Sequence, residues 1–369
     1  MPFSITKADR RLIAALAVLS LAWPAASRAQ DPGAWNPPGL DAAARRLPRL
    51  HSLLVSRGGE LVFERYFHGA SRDRAANIKS ASKSVISALV GIAIDRRLIQ
   101  GVTAPIATYF PELARDPDPR KRAITVEHLL TMRPGLEGTS NRNYGAWVTS
   151  GNWVRHALAR PMFAAPGEEM EYSTGNTHLL SAIVTKASGT STWQFANEVL
   201  AKPLGFTLAP WPRDPQGIYF GGNDMLMTPR QMLAFGELYL NTGRMAGRQI
   251  VPASWVERSC DGRARTRRPG SPGFDARGVF DPLRDRTYGY LWWVYDIRGY
   301  KTCFAWGYGG QYVFVVPRLD LVIVTTSTPD VSEERRDHRR LLFELLDRFV
   351  VAPLSAGRSV RPAAAGTSD

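Results

Sequence analysis

The sequence predicts a mixed α/β (α+β) fold in which an antiparallel sheet is flanked by helices and interrupted by a mostly helical insert. Three observations predict it. Runs with strand character occur near both ends of the chain, segments with helical spacing fill the middle, and an early helix is apolar nearly all round. Such a helix has no polar face to give to water, so it must lie between layers. With 369 residues, 44% of them hydrophobic and 22% charged, the chain is long enough for one large domain or two closely joined ones. A disordered or fibrous protein is excluded.

The first segment, "MPFSITKADRRLIAALAVLSLAWPAASRAQ", carries Lys7, Arg10 and Arg11 ahead of an apolar run from Leu12 to Trp23 and ends in Ser27-Arg28-Ala29. It has the form of a signal peptide, residues 1–29, removed near Ala29 to leave a secreted or periplasmic protein. As a permanent anchor the run is short and is broken by Pro24. No stable membrane insertion is therefore expected after its removal. Arg10-Arg11 matches a twin-arginine signal only loosely, and no cysteine follows the run to accept a lipid.

A proline-rich leader, 30–48, precedes the main domain expected over 49–352. In it, "LHSLLVSRGGELVFERYF" alternates and breaks at Gly58-Gly59, the pattern of a hairpin. The helix expected over Ser80 to Ile94 places Val85, Ile86, Leu89, Val90 and Ile92 on several faces. The insert, about 96–285, contains "TVEHLLTM", "GNTHLLSAIVTKASG" and "TPRQMLAFGELYLNTG", punctuated by Pro and Gly. Strand character returns in "YGYLWWVYDI", "YKTCFAWGYGGQYVFVV" and "DLVIVTTST". The sheet should thus be built from about 49–80 and 286–352. A last helix over Ser332 to Val350 has Leu341, Leu342, Leu345, Leu346 and Phe349 at helical spacing, and 353–369 form a tail. "DGRARTRRPGSPGFDARG" has the composition of a mobile basic loop.

The formal charge is +14, to which Lys7, Arg10, Arg11 and Arg28 against Asp9 contribute +3. No arginine-rich helix, phosphate loop or aromatic-interleaved basic strip accompanies it, so no nucleic-acid partner is expected. The two cysteines, Cys260 and Cys303, form no familiar zinc spacing with the six histidines, and no metal or organic cofactor is expected. One disulfide and two buried thiols are equally open.

Chemistry enters with "NIKSASKSVISALVGIAIDRRL". On a helix, residues three apart share a face, so the Lys83 amine reaches the Ser80 hydroxyl. A lysine partly removed from water loses its proton more readily and can activate a serine. The same spacing also describes a capped helix start with a solvated lysine. In "PGEEMEYSTGNTHLL", Tyr172 follows a Pro-Gly turn and precedes a helix; near a lysine ammonium its phenol should ionise more easily and shuttle a proton. In "FAWGYGGQYVFVVPRLDLVIV", three glycines within four residues mark a close backbone approach, where a backbone N–H opposite that of Ser80 would complete an oxyanion hole. A tyrosine packed at an interface and a simple bulge are the plain alternatives.

Taken in this order, the three stretches resemble the serine β-lactamase and penicillin-binding superfamily, and more closely the class C-type β-lactamases, related esterases and aminohexanoate-dimer hydrolases. The resemblance runs from about His51 to Val350 and includes "ITVEHLLTMRPGLEG", "GGNDMLMTPRQMLAFGELYLNTGRMAGRQIVPASWVE" and "GYLWW". It implies a β-lactamase/transpeptidase-like fold in which Ser80 is the acylated nucleophile, Lys83 its lysine partner and Tyr172 the tyrosine of the Y-x-N box. The third box, K-T-G or H-x-G in the family, is matched by Ala305-Trp306-Gly307, so Tyr308 would supply the second oxyanion N–H beside that of Ser80. Substrate would meet Trp306, Gly307 and Asn176. Two departures bear on substrate: the third box keeps only its glycine, and Thr174 stands where asparagine is expected, with Asn176 two further on.

Other residues invite roles that the resemblance does not need. Glu168, Glu169 and Glu171 should form a solvated turn, "EGTSNRN" lacks the last glycine of G-x-S-x-G, and His178 should be a helix-surface or packed histidine. The expected function is an exported serine hydrolase cleaving a small ester, amide or peptide through an acyl-enzyme on Ser80. The alternatives are a penicillin-binding-like D-amino peptidase or β-lactamase, and, from another class, a non-turnover protein that binds envelope peptides. Retention of serine, lysine and tyrosine together argues against a mere binder.

Overall fold

The computed structural model describes residues 35–265 and 286–356. The signal segment 1–29, the end of the tail and most of the basic loop lie outside the described residues. One eight-stranded sheet joins the two ends of the chain. Its strands are β1 (Leu50–Arg57), β2 (Glu60–Tyr66), β3 (Ala264–Arg265), β4 (Thr287–Tyr288), β5 (Trp293–Ile297), β6 (Tyr300–Gly307), β7 (Gln311–Val316) and β8 (Leu321–Ser327). The order is β2-β1-β8-β7-β6-β5-β4-β3, with every neighbouring pair antiparallel. The expected hairpin turns at Gly58-Gly59 between β1 and β2.

The core positions follow from the two-residue period of the strands. On one face of β7, Tyr312 and Phe314 meet Phe343 edge-on, with ring centroids 5.5 Å apart in both cases. Phe343 belongs to α5 (Arg335–Leu346), which starts three residues later than its spacing suggests and continues through a looser turn to Val351. On the other face, Val313 and Val322 close on Gly236 of α3 (Pro229–Leu240). The Ser56 hydroxyl of β1 donates to the Glu237 carboxylate of the same helix at 2.7 Å.

The early apolar helix is α1 (Ser82–Asp95), buried from Ser82 to Ala93 as its composition requires. Each of Val85, Ile86, Leu89, Val90 and Ile92 contributes roughly 1.5–3 kcal/mol by leaving water. Its neighbours include α2 (Thr174–Ser188) and α4 (Ala253–Ser259), whose Trp255 indole donates to Ser87 at 3.3 Å. The run "YGYLWWVYDI" is not one strand. It divides into β4 and β5 because Leu291 adopts a left-handed backbone, with φ of 60°, and turns its N–H to the Leu130 carbonyl.

Cys260 and Cys303 form a disulfide that ties the end of α4 to β6. It closes a separation of 43 residues, for which the loop-entropy relation gives about 4 kcal/mol. Guanidinium unfolding of Cys260→Ser/Cys303→Ser protein should therefore show a lower midpoint than the parent. An unchanged midpoint would mean that the crosslink constrains little in the unfolded chain.

Candidate active site

Ser80 lies in a single 3₁₀ turn, Lys79–Ala81, that runs directly into α1. The α-helix therefore begins at Ser82 rather than Ser80. The turn is held in a demanding shape: Lys79 has φ of 49°, a left-handed conformation that costs a residue other than glycine of order 1–3 kcal/mol. Three bonds hold it there. Asn77 Oδ1 accepts the Lys79 N–H at 3.0 Å, Lys79 Nζ reaches Asp224 at 3.1 Å, and the Ser82 hydroxyl donates to the Lys79 carbonyl at 2.6 Å.

One turn on, Lys83 is 1% exposed, an unusual state for an ammonium. Its Nζ donates to Ser80 Oγ at 3.1 Å and to the Gly222 carbonyl at 2.6 Å, and lies 5.0 Å from the centre of the Tyr172 ring. The capped start with a solvated lysine is thereby excluded. Burial pushes the amine down to about 7, with the Asp224 carboxylate pulling weakly the other way. Near neutrality it can accept a proton.

Tyr172 stands two residues before α2, half-buried, stacked on Trp293 at 5.8 Å and edge-on to Tyr288 at 6.2 Å. The expectation of an easily ionised phenol is corrected here. Desolvation raises its pKa well above the ordinary tyrosine value, and the interaction with Ser80 only partly offsets this. The neighbouring amine, with a pKa of about 7, is only partly charged at neutral pH, which weakens its positive field. Tyr172 is thus held as the phenol, and Lys83 is the group of the two whose proton affinity lies near neutral pH.

The third stretch reaches the site through Gly307. A Cβ at this end of β6 would lie 2.1 Å from the Ile78 carbonyl oxygen, so only glycine lets the strand abut the Ser80 turn. Tyr308 follows immediately. Trp306 is half-buried against Trp293 and Tyr312, with centroid distances of 5.6 and 6.0 Å. Asn176, expected to meet substrate, is 3% exposed with its amide on the Met132 sulfur at 3.5 Å, so it offers almost no surface. Thr174 takes the nearer place: its hydroxyl pairs with Ser140 at 2.9 Å, and its methyl lies 2.9 Å from where a Gly222 Cβ would be.

Glu168 and Glu169 are exposed in their turn, whereas Glu171 Oε1 accepts the Gly138 N–H at 2.8 Å. Among the described residues no cluster of His, Cys, Asp and Glu is placed to hold a metal, and no helix is long and apolar enough to cross a membrane.

Sequence reasoning missed several site residues. The Gly222 carbonyl and Asp224 come from "GGND", a pair of glycines followed by two polar residues in an otherwise apolar context, which was the available signal. Guanidinium groups also gather at the third stretch: Arg286 lies 5.0 Å from the Trp293 ring centre and 5.6 Å from that of Trp306, Arg339 5.5 Å from Trp306, and Arg335 4.2 Å from Tyr308.

The Beta-lactamase family model matches residues 51–347. Among curated proteins, the 6-aminohexanoate-dimer hydrolase of Paenarthrobacter ureafaciens is 26% identical over 327 residues, covering 81% of this chain and 80% of its own. The D-alanyl-D-alanine-carboxypeptidase/endopeptidase AmpH of Escherichia coli is 27% identical over 178 residues, 44% of this chain and 46% of its own. Among solved structures, EstCE1, a hydrolase with promiscuous acyltransferase activity, superposes with a TM-score of 0.63 at 16% identity, covering 84% of this chain and 97% of its own. That last likeness is one of fold.

Proposed function

Starting from the premise that the chain belongs to the β-lactamase family, whose curated relatives here are hydrolases, we propose that it is an exported serine hydrolase cleaving an ester or linear amide through an acyl-enzyme on Ser80. The observation that carries the proposal is the buried Lys83 amine, tuned to about 7 and 3.1 Å from Ser80 Oγ. Ser80 Oγ attacks the carbonyl carbon and its proton passes to Lys83. The backbone N–H groups of Ser80 and Tyr308, with the N-terminal end of α1, stabilise the tetrahedral oxyanion. Collapse expels the alcohol or amine, which takes a proton through Tyr172. Water then attacks the acyl carbon as its proton passes, relayed by Tyr172, to Lys83; collapse breaks the ester bond to Ser80, whose Oγ takes that proton back as the acid leaves. Export is supported by the leading segment and by the Cys260–Cys303 disulfide, a bond that persists in oxidising compartments.

The family's K-T-G lysine and threonine hold a substrate carboxylate, a charge-assisted contact worth about 1.5–3 kcal/mol. Ala305 and Trp306 cannot make it, and an aromatic wall suits an uncharged acyl or alcohol group. We therefore expect p-nitrophenyl acetate or butyrate to be hydrolysed with higher kcat/KM than a cephalosporin by purified mature protein. Trp306→Lys alone should not create a good lactamase, since the threonine is also missing. The guanidinium groups of Arg286, Arg335 and Arg339 favour a second reading, a penicillin-binding-like peptidase or lactamase that takes carboxylate substrates. A cephalosporin turned over more efficiently than the esters would establish it.

A further inference from the structure

We propose that His178, oriented by Asp214, is a positioning residue for Lys83: the pair fixes the backbone at Gly221 and Gly222 so that the Gly222 carbonyl holds Lys83 Nζ against Ser80. The proposal rests on Lys83 being the base. Both side chains of the pair are completely buried, and His178 Nε2 lies 2.9 Å from Asp214 Oδ2. The histidine is thus packed inside the protein and not on a helix surface. Asp214 Oδ1 accepts the Gln216 and Ile218 N–H groups at 2.9 and 2.8 Å, so the carboxylate is an acceptor at both oxygens. Nε2 must then carry the imidazole proton, which leaves Nδ1 as a lone-pair acceptor. Nδ1 meets the Gly221 N–H at 3.4 Å.

The next residue supplies the carbonyl, 2.6 Å from Lys83 Nζ. Slack is small on this segment. A Cβ at Gly221 would fall 2.1 Å from the Thr177 carbonyl oxygen, and one at Gly222 2.2 Å from Thr177 Oγ1 and 3.1 Å from Lys83 Nζ. Packing alone does not call for the pair. The edges of Trp147, Trp153 and Phe220 surround His178 at centroid distances of 5.8, 5.3 and 6.1 Å, a setting that a phenylalanine would fill without burying an acid and a base. What a phenylalanine lacks is a directed acceptor for the Gly221 N–H.

The charged and titratable groups facing this unit are few. Asp214 faces His178; Asp224, Tyr172 and Ser80 face Lys83, and Lys79 pairs with Asp224. None of the His178 and Asp214 variants below alters the Lys83 group. In Asp214→Asn, the Asn Oδ1 keeps the two backbone N–H bonds and its amide N–H faces Nε2, so the tautomer reverses and a ring N–H points at the Gly221 N–H. In His178→Gln the amide reaches Asp214 but nothing accepts from Gly221. In His178→Asn the side-chain oxygen takes the place of Nδ1.

The test is the pH profile of p-nitrophenyl acetate hydrolysis across neutrality, run beside thermal melting, with Lys83→Ala in parallel. Asp214→Asn and His178→Gln should lower kcat about 10–100-fold with little change in KM, the scale of a misplaced reacting group. Their acid limb should move to higher pH, because a loosened loop admits water to the amine. His178→Asn should recover much of the rate. Wild-type kcat and an unmoved limb in both disrupting variants, even at a lower melting temperature, would reduce the pair to packing. If one of the two does not fold, the other decides. Lys83→Ala with undiminished turnover would instead overturn the assignment of the base itself.

Discussion

Ser80→Ala protein should fold as the parent does, take up no fluorophosphonate or penicillin-type label, and lose turnover altogether. The substitution removes one oxygen from a half-buried side chain in a 3₁₀ turn. The turn's own supports, at Asn77, Asp224 and Ser82, do not involve that oxygen. Lys83 keeps its shorter bond, to the Gly222 carbonyl at 2.6 Å. Stability should therefore change little, while the atom that forms the acyl bond is gone. Beyond the first 29 residues, Ser80 is the only serine with a lysine three residues on, so no neighbour substitutes for it. Intact mass after labelling decides the matter: incorporation at unchanged stoichiometry would place the nucleophile elsewhere.

Removing the proton-transfer groups should cost nearly as much. Lys83→Ala and Tyr172→Phe are each expected to lower kcat by about two to four orders of magnitude, the usual range for a general acid or base. In the proposed mechanism the amine and the phenol act on the same serine proton, with Nζ 3.1 Å from Ser80 Oγ and 5.0 Å from the Tyr172 ring centre. Once one is lost the other has no complete relay, so the double variant should fall far short of the product of the single losses. Independent, multiplicative losses would separate the two roles. The sign of the pH dependence follows from burial. A free amine with a pKa of about 7 is protonated as pH falls below that value, so kcat/KM should drop on the acid side of neutrality. Tyr172, pushed upward, stays a phenol well into the alkaline range and sets no limb near neutrality. A profile flat through neutrality and falling only far below it would remove Lys83 as the base.

Much of this was legible beforehand where the cause is local. The Gly58-Gly59 hairpin, the all-round apolar α1 and the leucine spacing of α5 are periodicities that secondary structure must obey, and each element is present. The three-residue spacing allowed the Ser80–Lys83 contact, and the burial of Lys83 selected it over a solvated lysine. The failures have a different origin. "YGYLWWVYDI" has strand composition throughout, yet the Leu130 carbonyl takes the Leu291 N–H and splits it. Asn176 lies four residues from Tyr172 in the sequence, but helix rotation turns it onto Met132 and brings Thr174 to Gly222.

The sequence by itself determined the local spacing of the candidate residues: a serine and a lysine one turn apart, a tyrosine before a helix, a glycine at the end of a strand. Those relations are set by backbone geometry over a few residues. Only the tertiary structure decided their protonation and aim. The Lys83 amine titrates near neutrality because the fold strips it of water, and a carbonyl from 139 residues further along the chain holds it in place. Tyr172 remains a phenol because aromatic rings from β4 and β5 close around it. Desolvation depends on every atom packed around a group, and that sum exists only once the chain has folded.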